Sequence, residues 1–226
     1  MQPLIPGASY HIFNHANGFE NVFREKENYR FFLEKYQLYV TPIAETYAYC
    51  LMPNHFHLVV RIQKREVIEA VITNKTSSHV TADADTSGLN LSKVQNVGQV
   101  QFSDSEIEKF LSKQFSNLFS CYTQSLYKVF NRMGSLFIKN FKREVITDRS
   151  HFINAIIYTH RNPVHHGFCK TFGDWSYSSY PEILYGIKSF VESEKLLKIT
   201  GGFDSFIELH SKNLARFENS SDFESI

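Results

Sequence analysis

The stretch TYAYCLMPNHFHLVVRI, residues 46–62, decides the fold. Residues 46–52 and residues 55–62 are both rich in aromatic, β-branched and small apolar side chains, and such segments favour strands. Pro53 and Asn54 separate the two segments, and both residue types are typical of tight turns. The stretch therefore predicts two antiparallel strands that form a hairpin.

The segments on either side of the hairpin supply the remaining elements of the first half. Residues 10–14 are β-prone and precede the turn signal Asn17-Gly18, which predicts a first strand. Residues 26–40 carry apolar side chains at helical spacing, and Pro42 lies just beyond them. Residues 64–73 also have a helical pattern.

The second half begins with a long helix. Ser103 and Glu106 have the spacing of a capping box, and the helix that they open is predicted to end at Met133-Gly134. Residues 137–146 are predicted to include a fourth strand that carries basic residues. Asp148 predicts the N-cap of a further helix that runs through Arg161, and Asn162-Pro163 is expected to end it.

This order of elements predicts an α+β fold with a ferredoxin-like (RRM-like) antiparallel sheet backed by helices. We place the main domain at residues 1–180. Residues 181–226 predict a mostly helical, peripheral C-terminal extension. Residues 74–101 contain few large apolar side chains and many Ser, Thr, Asp, Asn and Gly residues, which predicts a flexible insertion within the domain.

Composition restricts the class of protein. The net charge is only +1, but residues 126–170 contain eight basic and two acidic side chains, whereas residues 171–226 contain five basic and nine acidic ones. A basic centre fits contact with phosphates, although an unevenly charged surface would look the same. The three cysteines lie far apart, as expected for reduced thiols in a cytoplasmic protein. No apolar run is long enough to span a membrane.

Two histidines form the most specific local pattern, His55-Phe56-His57. Because side chains alternate along a strand, His55 and His57 point to the same face, while Phe56 points to the other. Two imidazoles placed in this way can share one cation. The same pair also fits zinc, or two surface histidines that bind nothing.

A tyrosine in the helix after Asp148 is the second candidate. At about 100° per residue, Tyr158 lies in the middle of a polar stripe formed by His151, Asn154, Arg161 and Asn162, opposite the isoleucines. Asn162 is one turn after Tyr158 and could bring a carbonyl oxygen to the same site. An ordinary exposed tyrosine is the alternative.

Together these motifs resemble the REP-associated tyrosine transposases and the wider insertion-sequence single-tyrosine transposases, which belong to the HUH nucleases. One motif is MPNHFHLVV, residues 52–60, and the other is YTHRNPV, residues 158–164. Residues 134–137 and the dipeptide at 141–142 also match, as does WSYSSY at residues 175–180. Tyr177 departs from the family pattern, which has tryptophan there. The resemblance covers roughly residues 8–185.

The resemblance implies a DNA-nicking and rejoining enzyme. Tyr158 would attack a phosphate in single-stranded or hairpin DNA and form a covalent 5′-phosphotyrosine. His55, His57 and Asn162 would hold Mg²⁺ or Mn²⁺. A homodimer stays open, since relatives include dimers and monomers, and the location would be cytoplasmic, or nucleoid-associated when bound to DNA. The candidates for DNA contact are the basic residues Arg132, Lys139, Lys142, Arg143 and Arg161.

Two other functions fit the same sequence. A non-catalytic, nucleic-acid-binding ferredoxin-like module would explain the basic centre and the many aromatic residues, but not the polar stripe around Tyr158. A domesticated transposase, with an intact nuclease and a housekeeping role, cannot be distinguished from a mobile one by sequence.

Overall fold

A computed structural model describes residues 2–82 and 101–217, with side chains over 2–75 and 101–212. The strands are β1 (Ser9–His15), β2 (Ala44–Met52), β3 (His55–Ile62) and β4 (Lys142–Ile146). The helices are α1 (Lys26–Tyr39), α2 (Arg65–Ala82), α3 (Asp104–Phe130), α4 (Arg149–His165), α5 (Ser179–Leu184), α6 (Ser193–Thr200) and α7 (Phe203–Phe217). A 3-10 turn spans Phe172–Asp174.

The four strands form one antiparallel sheet in the order β2-β3-β1-β4. The predicted hairpin is confirmed, with Met52 opposite His55 across the turn. The first and fourth predicted strands are also present, and β4 occupies only the end of the segment predicted for it. The chain is therefore an α+β protein, as predicted.

The apolar face of the sheet packs against α1 and α3. Phe56 is fully buried there, with its ring centroid 5.4 Å from that of Phe32 on α1 and 5.4 Å from that of Phe119 on α3. Burial of an aromatic side chain of this size stabilises the fold by about 1.5–3 kcal/mol. The opposite face carries His55 and His57 and is covered by α4, which also packs on β2.

The predicted starts of α3 and α4 are confirmed. Ser103 accepts a hydrogen bond from the amide of Glu106, whose side chain bonds back to the Ser103 amide. Asp148 caps α4 by accepting from the amide of His151 at 2.9 Å. Both contacts satisfy amides that the first helical turn leaves without partners.

The predicted ends of the two helices are wrong. α3 stops at Asn131, which adopts a left-handed conformation before Met133 is reached. α4 continues past Asn162 and Pro163 to His165. Proline in the last turn removes only one hydrogen bond, and the chain closes the turn with the amide of His166 donating to the Asn162 carbonyl at 3.0 Å.

The segment after β3 differs from its prediction. α2 extends to Ala82, so residues 74–82 are helical rather than part of a loop. Their polar composition misled the prediction, because a helix that has already formed can continue through polar residues. Lys75 supports it by donating to Gln114 Oε1 on α3 at 2.7 Å. The rest of the predicted insertion, residues 83–100, lies outside the described residues.

The C-terminal segment is mostly helical up to residue 217, where the described residues end. It is not peripheral throughout, because α7 packs on α4 and buries Phe206 and His210. The domain boundary at residue 180 stays a prediction. All three cysteines are free thiols. Across the described residues, every helix is too short or too polar to cross a membrane.

Candidate active site

A row of four imidazoles lies on the sheet face beneath α4. Alternation along β3 places His55 and His57 on this face, and the register of β1 adds His15 opposite His55 and Phe13 opposite His57. His11, two residues before Phe13, lies on the same face. Sequence reasoning missed His11 and His15, although the period-two spacing of polar and aromatic residues in β1 was a usable signal.

His55 is almost completely buried and lies between two amide side chains. Its Nδ1 is 2.8 Å from Asn54 Oδ1, and its Nε2 is 3.1 Å from Asn162 Oδ1 on α4. The ring of His15 stacks on it, with centroids 4.5 Å apart. Burial lowers the pKa of His55 to about 4, so the ring is neutral at pH 7.

His57 is paired with a third histidine. Its Nδ1 lies 2.9 Å from His11 Nε2, and both side chains are buried. Burial, followed by the neighbouring imidazoles, holds the pKa of His57 well below its usual value. Burial likewise lowers the pKa of His11 to about 4. Both rings are therefore neutral and share one proton in the hydrogen bond between them.

Tyr158 reaches the histidine row from α4. Its ring meets His57 edge-on, with centroids 5.3 Å apart and planes at 90°, and meets His11 in the same way at 5.7 Å. Burial raises the pKa of the phenol, while a hydrogen bond with Asn162 and the positive charge of Arg161 oppose this shift. The phenol is thus protonated at neutral pH.

The polar stripe of α4 therefore faces the sheet at its C-terminal end. Asn162 and Arg161 are buried, whereas Asn154 is exposed. Asn162 also donates from Nδ2 to the Tyr158 carbonyl at 3.3 Å, which fixes its Oδ1 toward His55. The structure thus brings together all four residues that the sequence assigned to chemistry, namely His55, His57, Tyr158 and Asn162.

The predicted DNA contacts are more dispersed. Arg132 pairs with Glu20, and Arg143 pairs with Glu108 with its side chain only 5% exposed. Arg161 is also buried. Lys139, just before β4, and Lys142, the first residue of β4, are both exposed. The two lysines are therefore the candidates with a surface that an external phosphate can reach directly.

The donor atoms around His55 fit a cation. Asn54 Oδ1 can only accept, so the Nδ1 proton of neutral His55 points to it and leaves a lone pair on Nε2. This lone pair faces Asn162 Oδ1, which is also an acceptor, 3.1 Å away. Two acceptors at this distance repel unless positive charge lies beside them. Adjacent ligands of an octahedral Mg²⁺ are about 3 Å apart.

No cluster of three or more His, Cys, Asp or Glu residues suited to a metal occurs in the part of the chain that the structure describes. A site here would consist of two imidazoles and one amide oxygen, without a protein carboxylate. Such a set supplies little negative charge, so the phosphate of a substrate would strengthen the binding of an ion. Metal binding therefore stays a prediction.

Comparison with solved structures gives a distant likeness. No protein-family profile matches the chain, and no curated protein matches it. One solved structure, described as a REP-associated tyrosine transposase bound to a REP hairpin, is similar with a TM-score of 0.49 and 14% sequence identity. The match covers 84% of this chain and 87% of that chain.

Proposed function

We propose that this chain is a single-tyrosine HUH transposase that nicks and rejoins single-stranded or hairpin DNA through a covalent 5′-phosphotyrosine. One observation carries the proposal. The phenol of Tyr158 packs directly on His57, and Asn162 lies within hydrogen-bond distance of His55, although the two histidines and the helix are about a hundred residues apart. The proposed chemistry requires the histidine motif and the tyrosine motif to meet at one site in this way.

The arrangement of the sheet agrees with the proposal. We interpret the order β2-β3-β1-β4, with α1 and α3 on one face, as a ferredoxin-like sheet. The opposite face then carries the histidines, and α4 supplies the tyrosine from above. A rigid sheet and a packed helix would hold the reacting groups more firmly than loops.

His55, His57 and Asn162 would hold the divalent ion, Mg²⁺ or Mn²⁺. When bound, such an ion offsets the negative charge that develops on the scissile phosphate and on the leaving oxygen. The two imidazoles are already neutral because they are buried, so no proton has to leave before they can donate a lone pair.

Tyr158 would act as the nucleophile. Its hydroxyl oxygen bonds to phosphorus as the bond to the 3′ oxygen breaks, which leaves a 5′-phosphotyrosine and a free 3′-hydroxyl. Attack by a 3′-hydroxyl of another strand reverses this step and rejoins DNA without ATP, because the phosphodiester energy is kept in the covalent bond. Burial raises the pKa of Tyr158, and the hydrogen bond with Asn162 and the charge of Arg161 oppose part of that rise.

DNA would approach along the exposed lysines. Lys139 and Lys142 can contact phosphates, which positions a strand without reading its sequence. Arg132 and Arg143 already pair with carboxylates, so we assign them mainly to holding α3 and β4 in place. A homodimer and a cytoplasmic location stay predictions.

The test is adduct formation with labelled hairpin DNA and Mn²⁺, read on a denaturing gel. Wild type should form a protein–DNA band that Tyr158→Phe lacks. Tyr185→Phe, at an exposed tyrosine, is the matched control and should keep the band. A band that survives in Tyr158→Phe would remove Tyr158 from its role.

The metal ligands are tested in the same assay. His55→Ala and His57→Ala should each lose nicking, and excess chelator should stop the wild-type reaction. His165→Ala, at an exposed histidine of α4, should nick normally. Tight binding of hairpin DNA by wild type, with neither nicking nor adduct under any metal, would favour the non-catalytic binding module.

A further inference from the structure

The hydrogen bond between His11 and His57 bears on which nitrogen of His57 can bind a ligand. His57 Nδ1 and His11 Nε2 lie 2.9 Å apart, and the two rings are nearly parallel at 15°. Each side chain is less than one-tenth exposed, so neither ring readily carries a charge. One proton therefore lies between two neutral imidazoles.

This proton has two possible positions. If His57 donates, its proton is on Nδ1 and its Nε2 keeps a lone pair. If His11 donates, the neutral His57 ring has its own proton on Nε2, and that atom cannot bind a cation. Only the first arrangement leaves His57 able to act as a ligand.

His55 gives an independent reference for the same geometry. Its Nδ1 is held by Asn54, and its Nε2 faces Asn162. The two histidines are alternate residues of one strand, so both side chains lie on the same face, with their ring centroids 5.1 Å apart and their planes at 86°. On each ring Nδ1 already has a neighbour, Asn54 on His55 and His11 on His57, so Nε2 is the nitrogen that each ring has left for a ligand.

We propose that His11 is a positioning residue, whose Nε2 accepts the Nδ1 proton of His57 and so keeps His57 Nε2 unprotonated and directed at the site beneath Tyr158. The inference rests on the proposed function, because it assumes that His57 is a metal ligand. His11 also meets the Tyr158 ring edge-on, with centroids 5.7 Å apart, so its side chain lines the same site as His57. Loss of such a partner typically weakens metal binding 10- to 100-fold.

The experiment measures the affinity of the DNA-free protein for Mn²⁺ alone, by electron paramagnetic resonance of the free ion. His11→Ala should bind Mn²⁺ about 10- to 100-fold more weakly than wild type. His11→Gln should recover much of this loss, because its amide oxygen can accept a proton near the position of Nε2. His165→Ala, at an exposed histidine of α4, is the matched control and should bind Mn²⁺ as tightly as wild type.

A measurement on unmodified protein avoids any folding defect of the variants. Nitrogen-15 NMR of the histidine rings in metal-free wild type should show His57 with its proton on Nδ1. A proton on Nε2 would overturn the proposal, as would wild-type Mn²⁺ affinity in His11→Ala. The variant His57→Ala distinguishes failure of the proposed metal site from failure of the role of His11. Unchanged Mn²⁺ binding in His57→Ala would contradict the metal site itself. Weakened binding in His57→Ala together with normal binding in His11→Ala would refute only the role of His11.

Discussion

A second histidine pair, between α4 and α7, makes the stability of the fold dependent on pH. His160 on α4 and His210 on α7 are both buried, and His160 Nδ1 lies 2.9 Å from His210 Nε2. His210 Nδ1 is 2.8 Å from the Phe206 carbonyl, which can only accept, so the proton of neutral His210 is on Nδ1. Its Nε2 therefore accepts the Nδ1 proton of His160. An added proton on His210 would have to face the N–H of His160.

The magnitude follows from the pKa values. Burial lowers the pKa of His210 to about 4, and burial followed by the charge of His210 holds that of His160 well below its usual range. Unfolded histidine titrates near pH 6.5, so the contribution to stability is complete above that pH and is lost as the pH falls toward 4. At pH 5.5 the loss is about 1.4 kcal/mol for each such histidine.

The variant His210→Gln removes one titrating group and keeps an oxygen that can accept from His160. The assay is urea unfolding at pH 7.5 and pH 5.5, each in chelator. Between the two pH values the free energy of unfolding of wild type should fall by about 1.4 kcal/mol more than that of the variant. His165→Gln, at an exposed position, should behave like wild type.

Absolute stability does not enter this comparison. His210→Gln should be less stable at both pH values, because the imidazole packs against Phe206 and Tyr180 with centroids 4.3 and 4.9 Å away. The difference between the two pH values isolates the titration from the lost packing. Equal losses in wild type and His210→Gln would refute the assignment of a depressed pKa to this pair.

Three further outcomes follow from the structure. Ser103→Ala should lower the free energy of unfolding by about 1 kcal/mol in urea titrations, since it removes the cap of α3. Lys139→Glu and Lys142→Glu should each weaken hairpin-DNA binding and reduce the salt slope of the binding constant by about one, whereas unchanged slopes would exclude phosphate contacts. His57→Leu should lower the free energy of unfolding by about 1–3 kcal/mol, because it leaves buried His11 without its partner. Adding His11→Leu should recover part of that loss. Additive losses in this double-mutant cycle would contradict the pairing of the two histidines.

Local sequence patterns predicted most of the fold. The hairpin, the capping box at Ser103 and the cap at Asp148 depend on neighbours in sequence, and each is confirmed. The errors occur where packing overrides local preference. Pro163 lies buried within the last turn of α4 instead of ending the helix, and residues 74–82 remain helical despite their polar composition.

The site was predictable in part. His55 and His57 follow from alternation, and Tyr158 and Asn162 follow from helical spacing, so each pair shares a face by local geometry alone. The contact between the two pairs is tertiary, and only the motif resemblance suggested it. The pairing of His11 with His57 joins residues 46 positions apart and required the register of β1 against β3.

The interface between the sheet and α4 is the part of the fold that stability alone does not explain. The other face of the same strands is filled by Phe56, Leu58 and Val60, all fully buried. Beneath α4, by contrast, three buried imidazoles meet an amide and a phenol, although apolar side chains would fill that space without any cost of desolvation. Departures from apolar packing are expected at functional sites. The polar layer is therefore best understood as selected for chemistry, and its neutral rings, unable to take up protons easily, are suited to donate lone pairs.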